Sequence, residues 1–113
     1  MTRFAPLPEP PYFAVIFTAQ RSDGDHGYDA MAARMADLAN DQPGFLGIES
    51  TRDSQGLGIT ISYWQDEKAI QTWKAASEHL LAQKLGKTRW YDHYSIRVAK
   101  VERSYNGPEG RTG

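Results

Sequence analysis

The sequence predicts an α+β domain of the ferredoxin-like type, in which a four-stranded antiparallel sheet carries two helices on one face. Alternating apolar and polar residues mark strands at 12–20, 45–52, 58–64 and 94–102, and apolar side chains three or four residues apart mark helices at 28–39 and 66–85. Right-handed crossovers fold the order β-α-β-β-α-β into this arrangement.

Length and composition bound the possible functions. A chain of 113 residues makes one domain, and its 13 basic and 14 acidic residues give a net charge of −1, which argues against nucleic acid as a partner. The absence of cysteine excludes disulfides and thiolate chemistry. The longest apolar stretch, at about 12–17, is too short to span a membrane, and the N-terminus lacks a signal-peptide pattern. We expect a cytoplasmic protein with no membrane partner.

The chain divides into three parts. Residues 1–11 contain four prolines, which disfavour helix and leave an extended arm that is either disordered or laid across a partner. Residues 12–103 form the folded domain. Residues 104–113 contain Gly and Pro without periodicity, and we expect a flexible tail.

The first predicted strand is apolar on both faces. Phe13, Val15 and Phe17 point one way, whereas Ala14 and Ile16 point the other. In a small domain the helices can cover only one face of the sheet, and an apolar face left in water marks an interaction site. The sequence therefore predicts a homodimer in which two sheets close on each other as an α+β barrel.

Bulky aromatic residues and a histidine concentrate near the junction of the third strand and the second helix. Trp64 ends the strand, Asp66 can cap the helix, and Trp73 and His79 follow along it. A further short helical segment is predicted at 87–92. We expect these residues to surround a cavity.

The candidate site is an aromatic lining with one titratable ring. Four aromatic residues are expected to hold a flat aromatic ligand, namely Trp64, Trp73, Trp90 and Tyr91. His79 is the candidate catalytic base, because the pKa of histidine lies near working pH. Core packing remains an alternative for Trp64 and Trp73, and a helical surface position for His79. The three scattered histidines lack metal-ligand spacing, so we predict no metal site.

Two stretches of the chain resemble a known family. The turn Gln42-Pro-Gly-Phe-Leu-Gly-Ile-Glu49, and Ile61-Ser-Tyr-Trp64 followed by Asp66-Glu-Lys-Ala-Ile70, are similar to the antibiotic biosynthesis monooxygenase domain. The resemblance covers about residues 12–103 and implies the dimeric α+β barrel superfamily. That family includes cofactor-independent monooxygenases of aromatic polyketides, haem-degrading monooxygenases and members of unassigned activity.

The residues that mark haem degradation in the family match here at one position of three. Many members have a histidine nine residues after the tryptophan that ends strand three, and the haem-degrading members have a tryptophan there, as Trp73 is here. Their axial histidine follows ten residues later, where this chain has Gln83, and His79 lies six residues after Trp73. Their first strand also carries an asparagine, and the nearest amide here is Gln20.

Three functions therefore stay open. The first is a monooxygenase that acts without flavin or metal on a small flat aromatic or polyketide-like substrate, with dioxygen reacting at a substrate carbanion. The second is a haem-binding or haem-degrading monooxygenase, with His79 as iron ligand. The third is a non-catalytic dimeric module that binds a small ligand or serves a stress response.

Overall fold

The computed structural model describes residues 3–24, 28–84 and 90–108, and the side chains of residues 79–84 lie outside the description. The elements are β1 (Tyr12–Arg21), α1 (Tyr28–Asn40), β2 (Phe45–Arg52), β3 (Leu57–Trp64), α2 (Glu67–Lys84) and β4 (Tyr91–Val101). The strands form one antiparallel sheet in the order β2-β3-β1-β4. The predicted ferredoxin-like fold is confirmed.

The strand register assigns each side chain to a face of the sheet. Phe17 of β1 lies opposite Thr60 of β3 and Ile96 of β4. Because directly paired residues share a face, the odd-numbered side chains of β1 and their partners form one surface. We call it the helix-facing surface, since Val15 packs there against residues of both helices.

One end of the helix-facing surface is filled by the Trp64 cluster. Ala39 of α1, Trp64 of β3 and Ala69 of α2 are its buried members, packed with Val15, Phe45, Ile70 and Trp73. The Trp64 ring lies 5.3 Å from Phe45 and stacks at 5.8 Å on Trp73. Its side chain is fully buried, and its Nε1 donates to Ser62 Oγ at 2.9 Å, so the indole N–H keeps a partner away from water.

The helical spacing predicts a buried stripe on α1, and the structure confirms it; its members are Tyr28, Met31, Met35, Leu38 and Ala39. Met31 is buried against Trp90, and Tyr28, Met35 and Leu38 pack around that pair. Ala39, the last member of the stripe, belongs to the Trp64 cluster instead. Helix α1 therefore runs from the Trp90 end of the domain to the Trp64 end.

The start of α2 follows the predicted cap. Asp66 Oδ1 accepts a hydrogen bond from the backbone N–H of Ala69 at 2.8 Å, which satisfies one of the free donors of the first helical turn. Just before β2, Gly44 has a φ of 85° and accepts from Gln65 N at 2.8 Å. The turn between α1 and β2 thus fixes where α2 begins.

The predicted helical segment at 87–92 is wrong at Tyr91 and Asp92, which belong to β4. Tyr91 pairs with Arg21 of β1, across an irregularity between Gln20 and Arg21. The backbone N–H of Ser22 donates to the carbonyl of Trp90 at 2.8 Å. These pairings with a distant strand outweigh the local pattern. Residues 87–89 of the predicted segment lie outside the described residues.

The described part of the proline-rich arm contacts the sheet of its own chain. The sequence predicts an arm that is either disordered or laid across a partner, and neither alternative includes this contact. Ala5 N donates to Glu49 Oε2 at 3.0 Å, and a Cβ on Gly47 would come within 2.9 Å of Ala5 Cβ. Glu49 Oε1 also accepts from Tyr63 OH at 2.7 Å. Burial, followed by this hydrogen bond, raises the pKa of Tyr63 to about 12.

Among the described residues, no helix is both long enough and apolar enough to cross a membrane.

Candidate functional site

The far end of the helix-facing surface holds a cavity of about 390 Å³, which we call the arginine–tyrosine cavity. It lies where β1 ends, β4 begins and the hairpin between β2 and β3 turns. Its lining residues are Arg3, Phe17, Ala19, Arg21, Tyr28, Ser50, Thr51, Arg52, Asp53, Gly56, Gly58, Thr60 and Tyr91. Its size falls within the range of small-molecule sites, about 300–1,000 Å³.

Small side chains make the floor of the cavity. Ala19 of β1 and Gly58 of β3 are directly paired on the helix-facing surface. Beside them Ser50 and Thr60 are paired, and their hydroxyl oxygens lie 2.7 Å apart. Because these side chains rise little above the sheet, they leave room between the sheet and the residues above it.

Three aromatic rings form the walls. Tyr91 lies 5.3 Å from Phe17 and 5.7 Å from Tyr28, with the rings at 74° and 90° to each other. Tyr91 OH donates to Tyr28 OH at 3.3 Å. Edge-to-face pairs of this kind are favourable and hold each ring in one orientation. The walls therefore offer a pre-formed apolar slot with two phenol groups on it.

Guanidinium groups stand beside the same rings. Arg21 Cζ lies 4.0 Å from the centre of the Tyr28 ring and Arg52 Cζ lies 5.1 Å from it. Arg3, from the arm, is a third arginine of the lining. The acidic member, Asp53, accepts backbone hydrogen bonds from Gln55 and Leu57 through Oδ1, each at 2.9 Å. The described part of the lining thus has three arginines and one aspartate, and it is positively charged.

Hydrogen bonds between strands hold the rim. Gln20 Nε2 donates to Gln55 O at 2.8 Å, and Arg21 N donates to Gly56 O at 3.0 Å. Gly56 has a φ of 91°, which suits glycine at this turn. Ser22 Oγ donates to Asp92 Oδ1 at 3.0 Å. The three strand ends are thereby tied together around the opening.

The phenol of Tyr91 is a hydrogen-bond donor rather than a base. Burial raises its pKa well above the ordinary value of 10, and the hydrogen bond to Tyr28 acts in the same direction. The positive charges of Arg21 and Arg52 act against this rise. At neutral pH the phenol therefore keeps its proton, and a proton-abstracting group must come from elsewhere.

The structure separates the aromatic residues that the sequence placed together. Tyr91 lines the cavity, and Trp90 lies behind the wall with its ring 6.2 Å from that of Tyr28. Trp64 and Trp73 belong to the Trp64 cluster and are not among the lining residues. His79 lies within α2, and its side chain is outside the described residues.

The sequence pattern does not mark Phe17, Tyr28, Arg21 or Arg52 as site residues. It predicts Phe17 on an apolar face of the first strand, Tyr28 in the buried stripe of the first helix and Arg21 in a polar loop. One usable signal was present, since Ala19 and Gly58 are small residues on the apolar face of predicted neighbouring strands. Among the described residues, no group of three or more His, Cys, Asp or Glu side chains converges on a metal position.

Comparisons with known proteins identify the family. The family model "Antibiotic biosynthesis monooxygenase" matches residues 12–85, and the chain belongs to this family. The chain is 53% identical over 96 residues to "Uncharacterized protein YqjZ" of Bacillus subtilis, covering 85% of this chain and 84% of that protein. It is 32% identical over 103 residues to "Jasmonate monooxygenase ABM" of Pyricularia oryzae, covering 86% of this chain but 46% of the relative.

Solved structures share the fold at low sequence identity. SnoaB, a cofactor-independent oxygenase from Streptomyces nogalater, superposes with a TM-score of 0.65 at 14% identity, over 84% of this chain and 97% of SnoaB. A variant of MhuD with two manganese protoporphyrin IX molecules bound per active site gives 0.65 at 18% identity, over 84% and 99%. One fold thus carries an oxygenase without cofactor and a binder of porphyrin.

Proposed function

We propose that the chain is a monooxygenase that acts without flavin or metal on a small flat aromatic or polyketide-like substrate. The observation that carries the proposal is the arginine–tyrosine cavity, whose walls are the rings of Phe17, Tyr28 and Tyr91. Membership of the antibiotic biosynthesis monooxygenase family supports it. The similarity to a jasmonate monooxygenase supports the monooxygenase part of the proposal.

The chain's own residues would bind and orient the substrate. A flat ring entering the slot meets the edge or face of three aromatic side chains, which favour offset or edge-to-face contact. Tyr91 OH, protonated at neutral pH, can turn from Tyr28 to donate to a carbonyl oxygen of the substrate. Such a bond stabilises the negative charge that develops on that oxygen when a neighbouring carbon loses a proton.

His79 remains the proposed base. Helix α2 starts beside the Trp64 cluster, and His79 follows Glu67 by twelve residues, or about 18 Å of helix at 1.5 Å per residue. Of the four aromatic candidates, Tyr91 is proposed to contact the substrate directly and Trp90 to support the wall from behind, whereas Trp64 and Trp73 pack at the other end of the helix-facing surface.

The proposed reaction balances without an added reductant. A base removes a proton from an activated CH2 group next to the substrate carbonyl, and the carbanion adds to dioxygen. The resulting hydroperoxide loses water and leaves a new carbonyl, so that CH2 and O2 become C=O and H2O. The protein has to lower the barrier to the first proton transfer and hold the carbanion against the aromatic rings of the cavity.

Oxygen uptake with anthrone, a flat ketone with an acidic CH2 group, tests the proposal. We expect the full chain to accelerate uptake over the uncatalysed rate, with one atom of labelled dioxygen appearing in the product. His79→Ala is expected to lower kcat, and Phe17→Ala to raise KM. Saturable anthrone binding without accelerated uptake would contradict an enzyme and favour the non-catalytic module.

The haem alternative requires His79 as the iron ligand, and the side chain of His79 lies outside the described residues. Among the described lining residues, Tyr28 and Tyr91 are hydrogen-bonded to each other, and the raised pKa of Tyr91 opposes a phenolate ligand. We therefore derive no step through haem. Titration with hemin checks this directly, because a Soret shift that His79→Ala abolishes would reinstate the haem alternative.

We also propose a homodimer. Apolar side chains stay 40% exposed or more on both faces of the sheet: Leu57 and Ile59 on the face away from the helices, and Tyr94, Ile96 and Val98 on the helix-facing side of β4. In the proposed dimer the two copies close on each other through the sheet face away from the helices, as an α+β barrel, which removes Leu57 and Ile59 from water. Light scattering at micromolar concentration is expected to give the dimer mass, and a monomer would contradict the proposal.

A further inference from the structure

We propose that the substrate of the arginine–tyrosine cavity carries a carboxylate, which the guanidinium groups of Arg21 and Arg52 bind while its ring lies in the aromatic slot. The inference rests on the proposed function for the ring part of the ligand. To the proposed function it adds that the substrate is negatively charged, how the substrate lies in the cavity and which residues select it.

The charge of the lining points to an anion. Among the described residues of the lining there are three arginines and one acidic side chain, Asp53, which already accepts two backbone hydrogen bonds. The whole chain has a net charge of −1, so this positive lining is a local feature and not the average of the surface. A concentration of one sign of charge in a concave site attracts ligands of the opposite sign.

The geometry favours a carboxylate over a diffuse anion. Arg21 and Arg52 both lie at the ring of Tyr28, so stacking holds their guanidinium groups in place before a ligand arrives. A guanidinium presents parallel N–H groups that match the two oxygens of a carboxylate. Because less side-chain freedom is lost on binding, a group held in this way binds more tightly than a freely moving one.

The apolar slot adjoins the charged group directly. Tyr28 contacts both arginines and also Tyr91, which contacts Phe17. The fields of Arg21 and Arg52 reach the phenol of Tyr91, since their charges act to lower its pKa. A ligand with an aromatic ring and an attached carboxylate therefore meets both halves of the site at once.

Calorimetric titration of the full chain with naphthoate and with its uncharged methyl ester tests the inference. We expect naphthoate to bind about tenfold more tightly or better than the ester, because hydrogen bonds to charged groups are the stronger ones. Arg52→Gln should remove most of that preference, and Arg52→Lys should restore only part of it, since lysine keeps the charge but not the fork.

Arg97→Gln is the matched control. It removes the same charge from an exposed arginine of β4 that pairs with Ile16 on the opposite face of the sheet. Its affinity for naphthoate should equal that of the unmodified chain. Added NaCl should weaken naphthoate binding and leave ester binding unchanged.

Equal affinities for acid and ester, or an equal loss in Arg52→Gln and Arg97→Gln, would overturn the inference. Neither result touches the proposed monooxygenase, which the oxygen-uptake experiment tests with uncharged anthrone. Conversely, carboxylate-dependent binding by a chain that never consumes oxygen would sustain the inference and end the enzymatic proposal.

Discussion

The two ends of the helix-facing surface are built from the same strands, but one end is filled with side chains and the other contains a cavity. At one end Trp64, Phe45 and Trp73 fill the space between sheet and helices, and Trp64 is fully buried. At the other end Ala19 and Gly58 occupy directly paired positions and leave a cavity of about 390 Å³. Side-chain size along two neighbouring strands decides which end is solid.

Because of this difference, we expect one end to stabilise the fold and the other end to bind a ligand. Large apolar side chains in close contact contribute most to the free energy of unfolding, and removing one leaves a hole that the surroundings fill only in part. A cavity lined by arginines and phenols lacks this contribution to stability, but it can bind a ligand. We expect substitutions at the Trp64 end to act on folding and those at the cavity end to act on binding.

The largest expected effect tests the solid end. Trp64→Ala should lower the free energy of unfolding by about 3–5 kcal/mol, the range for truncating a buried aromatic side chain. Urea unfolding followed by circular dichroism measures it. Tyr105→Ala, at a side chain that is 50% exposed, is the control and should change the value by no more than about 0.5 kcal/mol. An equally small change for Trp64→Ala would contradict the view that the Trp64 end stabilises the fold.

The same substitution at a glycine of each end sharpens the contrast. Gly44 has a φ of 85°, and a Cβ there would come within 2.7 Å of Ala69 Cβ in the Trp64 cluster. Gly44→Ala should therefore cost about 1–3 kcal/mol. At Gly58 the nearest atom to an added Cβ is Thr51 O at 3.4 Å, an ordinary contact.

Gly58→Ala should accordingly change the free energy of unfolding by less than about 1 kcal/mol, in the stabilising direction, through lower entropy of the unfolded chain. Both variants are compared with the unmodified chain in one series of urea unfolding curves. If Gly58→Ala proved as costly as Gly44→Ala, the cavity end would be as tightly packed as the other end.

The smallest expected effect concerns pH and arises at the cavity end. The pKa of Tyr91 is raised in the folded state, chiefly by burial, above its ordinary value of 10. The folded chain therefore holds this proton more tightly than the unfolded chain does. The stability that follows is fully present below pH 10 and is lost as pH rises through the folded-state pKa.

Tyr91→Phe should keep the ring contacts, cost about 1 kcal/mol or less at neutral pH, and weaken the fall in stability above pH 10. Tyr63→Phe is the partner variant, because its raised pKa, about 12, arises on the opposite face of the sheet. Unfolding midpoints across alkaline pH measure both. If the stability of Tyr91→Phe fell above pH 10 as steeply as that of the unmodified chain, the pKa of Tyr91 would not be raised in the folded state.

Part of the site was predictable and part was not. Tyr91 follows from its place in an aromatic pair, although the sequence put it in a helix and the structure puts it in β4. Arg21, Tyr28 and Arg52 come from the end of one strand, the start of a helix and the end of another strand. No local sequence pattern connects these three positions, so the sequence alone does not predict that they lie in one site.

The sequence by itself determined the fold, the faces of β1, the stripe of α1 and the cap at Asp66. These are local signals, because alternation, helical spacing and capping act among residues a few positions apart. Only the tertiary structure decided that Ala19 lies opposite Gly58 and that Arg21 and Arg52 meet at Tyr28. Such meetings depend on strand register and on how distant segments close over the sheet, and these are settled when the whole chain packs.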